Sequence, residues 1–399
     1  MNAADILRIR LERQLIAERT RVASPAQAVE HLCAMQAQDY LGSLWAVGQR
    51  CSAGTTDVDV ERAIAERRIV RTWPMRGTLH LVAAADVRWL LALLAPRIVA
   101  RAANRHAGLG LTDADFARAH ELFADALAGG RSLTRPDAMA LLADNGIDPT
   151  GQRGYHVLWM LSQDALLCCG PNEGKQQTFV LLDDWIPRAT AEQDAPPRDV
   201  ALPRLAERYF AAHGPATVED LAWWSGLNKT ETRAAIAGVD GGRIESATVG
   251  GREYWAPTGV LRDGAAGVGV GRGAASNHAS GEDPPAGASP RRSRSPGVHL
   301  LPGFDEYLLG YTDRRPQMAG HYDTFASMVS ANGMLSSTVV IDGEVHGIWK
   351  RTLKRDRVDV RVRAFRPLAQ AERLSIAREA ERYGAFLGRV ASVEFSAEG

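Results

Sequence analysis

Ahead of residue 262 the chain repeats one pattern three times, a group of helices followed by two short strands joined by a turn. Repetition of a supersecondary unit restricts the fold to an array of like modules that bury their apolar faces on one another. In the first unit Ile6, Leu7, Leu11 and Leu15 fall at helical spacing, Ser24-Pro25 caps a helix expected to run to about Ala37, and a further helix covers about 57–69. Residues 69–72 and 78–82 then read as strands flanking the turn Trp73-Pro74-Met75-Arg76-Gly77. A long helix near 86–105 leads to the second unit, with helices near 113–128, 135–145 and 152–163 and strands near 166–169 and 178–182. The third has helices near 201–213, 218–225 and 229–237, with Thr217 as cap and Gly226 as stop of the middle one, then strands near 243–248 and 252–256 turned by Gly250-Gly251. Helices followed by a hairpin are the plan of a winged helix, a module that mostly sits on DNA, although stacked winged helices also serve as protein-binding scaffolds.

Residues 262–298 break the pattern. They are rich in Gly, Ala, Ser and Pro with almost no bulky apolar side chain, a composition expected to stay disordered. Gly269-x-Gly271-x-x-Ala274 imitates a dinucleotide fingerprint, but neither a strand before it nor helical periodicity after it supports that reading. Beyond it, strands are expected near 337–342 and 345–352, turned by Asp342-Gly343, then at 357–364, with a helix near 368–387 and a last strand. The expected division is 1–110, a winged helix with its following long helix; 111–197 and 198–261, two further winged helices; 262–298, an insert; and 299–399, a β-containing C-terminal part. The fold class is α+β.

No apolar run approaches the ~20 residues of a membrane span, and Met1 to Arg13 lacks the uninterrupted apolar core of a secretory signal, so a cytoplasmic, monomeric protein is expected, with no membrane partner. Cys33, Cys51, Cys168 and Cys169 form no C-x-x-C pair, the histidines are dispersed, and no H-E-x-x-H occurs; neither metal nor cofactor is expected. The formal net charge of zero argues by itself against nucleic acid, yet the charge is unevenly distributed. Across 349–366 the eight cations Lys350, Arg351, Lys354, Arg355, Arg357, Arg361, Arg363 and Arg366 stand against Asp356 and Asp359, a net +6. Alternation in Val358-Asp359-Val360-Arg361-Val362-Arg363 sets valines on one face and charges on the other, which suits either a phosphate-binding surface or an ordinary solvated face.

The segment MQAQDY at 35–40 carries two amides two residues apart, followed by a carboxylate. On a helix, residues i and i+2 do not share a face, so Gln36 and Gln38 can address one substrate only if the helix ends near Ala37. By spacing alone they read more simply as two surface amides. Together with RTWPMRGTLHLV at 71–82, QTFVLLDDW at 177–185 and LLPGFDEYLLGYTDR at 300–314, however, this segment resembles the winged-helix DNA glycosylases of the AlkZ and YcaQ type, over both ends of the chain with only the insert outside.

The resemblance implies three tandem winged helices in a C-shaped arrangement with an appended C-terminal part. It also implies a monofunctional glycosylase that cuts N7-alkylguanine adducts and unhooks interstrand crosslinks in double-stranded DNA, in repair or in self-resistance to an alkylating natural product, with Gln36 and Gln38 as the catalytic pair. YcaQ-type relatives carry Gln-x-Asp at this motif, which sets Gln38 on the crosslink-specialised side. An N7-alkylated guanine is already cationic and leaves without a general acid, so neutral amides suffice to hold water and face the sugar cation. The rival readings are a non-catalytic DNA-binding regulator and a protein scaffold. Trp73 and Arg76 are candidates to wedge into or clamp DNA, with Trp73 alternatively a packing anchor; His80 either meets the same surface or is a satisfied core histidine. Lys350, Arg351, Lys354, Arg361 and Arg363 are the expected phosphate contacts. Trp223-Trp224 reads as core, and Asp305-Glu306 reads as structural before catalytic.

Overall fold

A computed structural model describes residues 1–188, 195–263, 297–318, 320–330 and 333–396. Most of the 262–298 insert, including the glycine fingerprint, lies outside them. Its margins are ordered differently from expectation: Arg262 and Asp263 end the short helix Val260–Asp263, and Val298 opens a buried strand, because Val298, Leu300 and Leu301 supply apolar surface that the core takes up.

Thirteen strands occur among the described residues: β1 Ala34–Gln36, β2 Ile69–Met75, β3 Thr78–Ala83, β4 Leu133–Thr134, β5 Leu167–Cys169, β6 Thr178–Leu181, β7 Ile244–Val249, β8 Arg252–Pro257, β9 Val298–Leu301, β10 Ser337–Ile341, β11 Glu344–Leu353, β12 Arg357–Ala364 and β13 Val390–Phe395. The expected helices and hairpins recur in order, and the architecture is α+β. The three wings are not independent, however. Those of the first two units join in one six-stranded sheet, β1-β3-β2-β5-β6-β4, through a pairing of Arg71 with Cys169, whereas β7 and β8 form a separate two-stranded ribbon to which Ala216 is bridged at Trp255.

Three hairpins close with two-residue turns in which both positions have positive φ: Arg76-Gly77, Gly250-Gly251 and Asp342-Gly343. That geometry matches the twist of the flanking strands. In the first hairpin the strand therefore runs on through Trp73 to Met75, and only Arg76-Gly77 turns.

The C-terminal sheet, β13-β12-β11-β10-β9, is antiparallel except for the parallel pair β12–β13, which the helix Gln370–Phe386 connects. Its inner face, with Val339, Trp349, Val358, Val360 and Val362, shares one core with Leu32, Trp45 and Val47 of the first unit. Trp45 Nε1 donates to the Leu300 carbonyl at 2.7 Å and Trp349 Nε1 to that of Leu301 at 2.9 Å, so both indoles bury without orphaned donors. The C-terminal part is thereby built into the first winged helix, and residues 300–314 lie beside the amide pair. No described helix is long and apolar enough to cross a membrane.

Candidate active site

The helix that begins at Pro25 ends at Leu32, not near Ala37, because Cys33 takes φ +66° and turns the chain into β1. This overturns the helical placement of the amide pair and resolves its spacing problem. β1 ends at Gln36 and Gln38 lies in the bend just beyond it, so the helical rule that sets i and i+2 apart no longer applies to the pair. β1 is the edge strand against β3, with Gln36 opposite His80. Ala37 between the amides is pinned from both sides. Its N–H donates to the Leu79 carbonyl at 2.7 Å, and its own carbonyl accepts from Arg71 Nε and Nη2 at 3.2 and 2.9 Å.

Backbone donors fix both amide carbonyls. The N–H of Gln38 donates to Gln36 Oε1 at 2.9 Å, and that of Leu79 donates to Gln38 Oε1 at 3.3 Å. Each carbonyl keeps a second lone pair and each NH₂ remains turned away from these donors. Gln36 is half-buried and Gln38 exposed, so the pair forms a step from floor to rim.

Glu306 lies beneath Gln36, fully buried. Its Oε1 accepts the backbone N–H of Gln36 at 3.0 Å; its Oε2 accepts Trp224 Nε1 at 2.9 Å and lies 3.4 Å from His213 Nε2. Burial alone would raise its pKa, but the His213 hydrogen bond and the nearby Arg76 charge outweigh that and hold it down at about 2. The site thus rests on a buried anion. Its neighbour Asp305 plays a different part. It takes Arg50 Nη1 and Nη2 at 2.9 Å each, a buried bidentate pair that ties the segment to the first unit.

The residues expected to touch DNA from the first wing are turned into the protein. Trp73 lies in β2, only 2% exposed, packed in the core of the second unit with Nε1 on the Tyr155 hydroxyl at 3.3 Å, so it cannot wedge into a duplex. Arg76 turns inward, donating Nη1 to the Trp224 carbonyl at 2.8 Å and approaching His80 Nε2 with Nη2 at 3.3 Å, which removes it as a surface clamp. His80 is wholly buried and donates Nδ1–H to the Thr78 carbonyl at 2.8 Å; burial first and Arg76 second push its pKa down to about 4. It is a neutral histidine in the wall behind Gln36.

Asp39 faces away from the amides, held by Arg351 Nη2 at 3.3 and 3.1 Å. Gly42 makes room for it, since a Cβ there would meet Asp39 Oδ2 at 2.6 Å. Arg351 consequently leaves the expected basic face: it lies on the same side of β11 as Trp349, opposite Val360. Lys354 pairs with Asp359 at 2.6 Å and Arg361 with Glu394 at 3.1 Å, so part of that charge is already neutralised. Lys350 and Arg363 are exposed, and among the described residues neither has an ion-pair partner. Glu306 is the residue that sequence reasoning undervalues; only its place in the 300–314 signature points to it. Trp223 is not core as expected, being 48% exposed while Trp224 is buried.

Comparison with known proteins places these tandem winged helices in a family. A family model described as DNA glycosylase AlkZ-like matches residues 29–386, and the chain belongs to that family. It is 29% identical over 391 residues, 96% of this chain and 95% of the other, to an interstrand DNA cross-link repair glycosylase of Streptomyces sahachiroi. The solved structure of the Streptomyces sahachiroi DNA glycosylase AlkZ superposes with a TM-score of 0.74 at 25% identity, over 99% of this chain and all of that one.

Proposed function

We propose that this protein is a monofunctional glycosylase that hydrolyses the N-glycosidic bond of N7-alkylguanine in double-stranded DNA and unhooks interstrand crosslinks made through such adducts. The observation that carries the proposal is the pair Gln36 and Gln38 on non-helical chain, each side-chain carbonyl braced by a backbone N–H. The C1′–N9 bond breaks with its electron pair leaving on the cationic purine, which departs neutral, and water adds to the sugar cation and loses a proton. The free carbonyl lone pairs accept from that water, and the NH₂ groups donate to the lesion or a phosphate. The Glu306 charge favours the developing cation from behind the strand. Lys350 and Arg363, with Lys354 and Arg361 once released from their acidic partners, bind phosphate. Among the described residues no hydrogen bond or ion pair joins a lysine to the amide pair, which favours hydrolysis over Schiff-base chemistry; the reaction as proposed uses no cofactor and one copy of the chain per lesion.

The test is single-turnover excision from DNA carrying N7-methylguanine or a nitrogen-mustard crosslink, developed with alkali. Gln36→Ala and Gln38→Ala should each lower the rate by about 10²–10³ at unchanged DNA affinity. Gln38→Asp should keep activity on the simple adduct. Wild-type rates in both alanine variants would turn the assignment towards a non-catalytic DNA-binding regulator. Borohydride should trap no covalent complex.

A further inference from the structure

Beside the amide pair, on the surface, lies a ladder of flat groups that catalysis leaves unused. The guanidinium of Arg314 sits 5.7 Å from the centroid of the Trp223 ring and 5.2 Å from that of Phe325. Phe325 stacks in turn on Tyr322, with centroids 6.0 Å apart and planes 6° from parallel. Trp223 and Tyr322, the two ends, are 48% and 42% exposed, unlike most large aromatics of this chain.

Two polar edges of the ladder are already satisfied. Trp223 Nε1 donates to the Leu309 carbonyl at 3.1 Å and Arg314 Nε to that of Leu308 at 2.8 Å. What remains exposed at the ends is aromatic surface. Both carbonyls belong to the short helix Glu306–Leu309, whose first residue receives the Gln36 N–H. At about 1.5 Å per residue the ladder's anchors lie only ~5 Å along that helix from Glu306. Trp224, next to Trp223, closes the same circuit by donating to Glu306 and accepting from Arg76. Asp313 and Asp323 adjoin the ladder in sequence, Asp313 bound by Arg315 and Arg252, and Asp220 also faces Arg314 while accepting from Thr312.

We propose that Trp223, Arg314, Phe325 and Tyr322 form a stacking platform for a nucleobase displaced from the duplex beside the excision site. Aromatic faces bind unstacked bases whatever their identity, and an interleaved guanidinium adds to this. The charge of Arg314 also selects the occupant. It repels a cationic N7-alkylpurine and accepts a neutral base, so the platform holds the base opposite or flanking the lesion while the lesion itself faces the amides. A duplex distorted at the lesion then gains contacts that an intact one lacks.

This inference rests on the glycosylase reading for its biological setting, but its test requires no excision. The full-length protein is titrated with a duplex bearing 2-aminopurine opposite a tetrahydrofuran abasic analogue, and separately with the fully paired duplex. Wild type should change the 2-aminopurine fluorescence and prefer the distorted duplex. Trp223→Ala should abolish the change and weaken binding of that duplex about tenfold, with the paired duplex unaffected. Tyr322→Ala should have a smaller effect in the same direction, and Trp223→Phe should retain binding within about threefold of wild type. An unchanged thermal midpoint checks that the variants fold. Absence of the fluorescence change in wild type, or its persistence with full preference in both alanine variants, overturns the platform even if excision proceeds. Loss of excision with the fluorescence response intact would instead sink the glycosylase reading and leave the platform standing.

Discussion

The hairpins β2–β3 and β11–β12 both carry polar and charged residues between apolar ones, yet they end in opposite environments. All of β2 is buried, Arg71 and Thr72 included, while β12 alternates valines inward with Arg357, Arg361 and Arg363 outward. The difference lies in what covers them. β2 and β3 are interior strands of the six-stranded sheet, so their polar groups are recruited into bonds such as Arg71 to the Ala37 carbonyl. The outer ends of β11 and β12 have one covered face, and their charges reach solvent. A hairpin can therefore look like a DNA-binding wing in sequence and serve as the wall of the candidate site.

Stability should separate the two hairpins most sharply. Trp73→Ala should cost about 3–5 kcal/mol in chemical denaturation by leaving a cavity in the second unit's core, while Arg363→Ala should stay within about 0.5 kcal/mol. Equal, small effects would mean that Trp73 is not the anchor its burial makes it.

Chemistry comes next. Glu306→Gln keeps shape but removes the charge behind Gln36, and should slow single-turnover excision roughly ten- to hundredfold with affinity intact, as loss of a partly screened charge near a cation would. Full activity in that variant would reduce Glu306 to a brace for the strand.

A smaller effect should appear in salt dependence. Lys350→Ala combined with Arg363→Ala should flatten the slope of log affinity against log salt by about two units, across unrelated sequences. Arg361→Ala alone should change it less than either, since Glu394 already competes for that guanidinium. The same substitutions at Arg71 or Arg76 would disturb folding instead.

The mildest contrast is in pH. His80, depressed to about 4, binds fewer protons when folded than when unfolded between its ordinary 6.5 and 4, so stability falls as pH drops through that window. Glu306, depressed from 4.5 to about 2, contributes stability that is present above 4.5 and lost as pH falls towards 2. Thermal midpoints should therefore decline across both windows on acidification, and Glu306→Gln should lessen, without removing, the loss in the lower one, where Asp313 and Glu372, also held at about 2, contribute. The β11–β12 charges should add little to either.

Much of this is legible in residue order. The apolar periodicities and the caps Ser24, Thr217 and Gly226 locate the helices to within a few residues, and the alternating valines locate β12. Other features leave no local trace. The helix Tyr40–Gly48 is apolar on nearly every side, because it is enclosed between the first unit and the C-terminal sheet, and it shows no helical stripe. The strand β1 is only three residues long and reads in sequence as the tail of the helix before it, since nothing in the identity of Cys33 announces a positive φ.

The sequence by itself determined the modules, their order, the amide pair and the basic alternation, because helix caps, period-two and period-3.6 patterns act over a few neighbouring residues. Tertiary structure alone decided that Gln36 and Gln38 leave the helix, that Glu306 lies under Gln36 across 270 residues of chain, that Arg76 and His80 turn inward, and that Trp223 turns out while Trp224 turns in. Those outcomes depend on which surfaces meet, on the joining of two wings into one sheet and on the burial of a carboxylate among distant donors, and no local spacing encodes them.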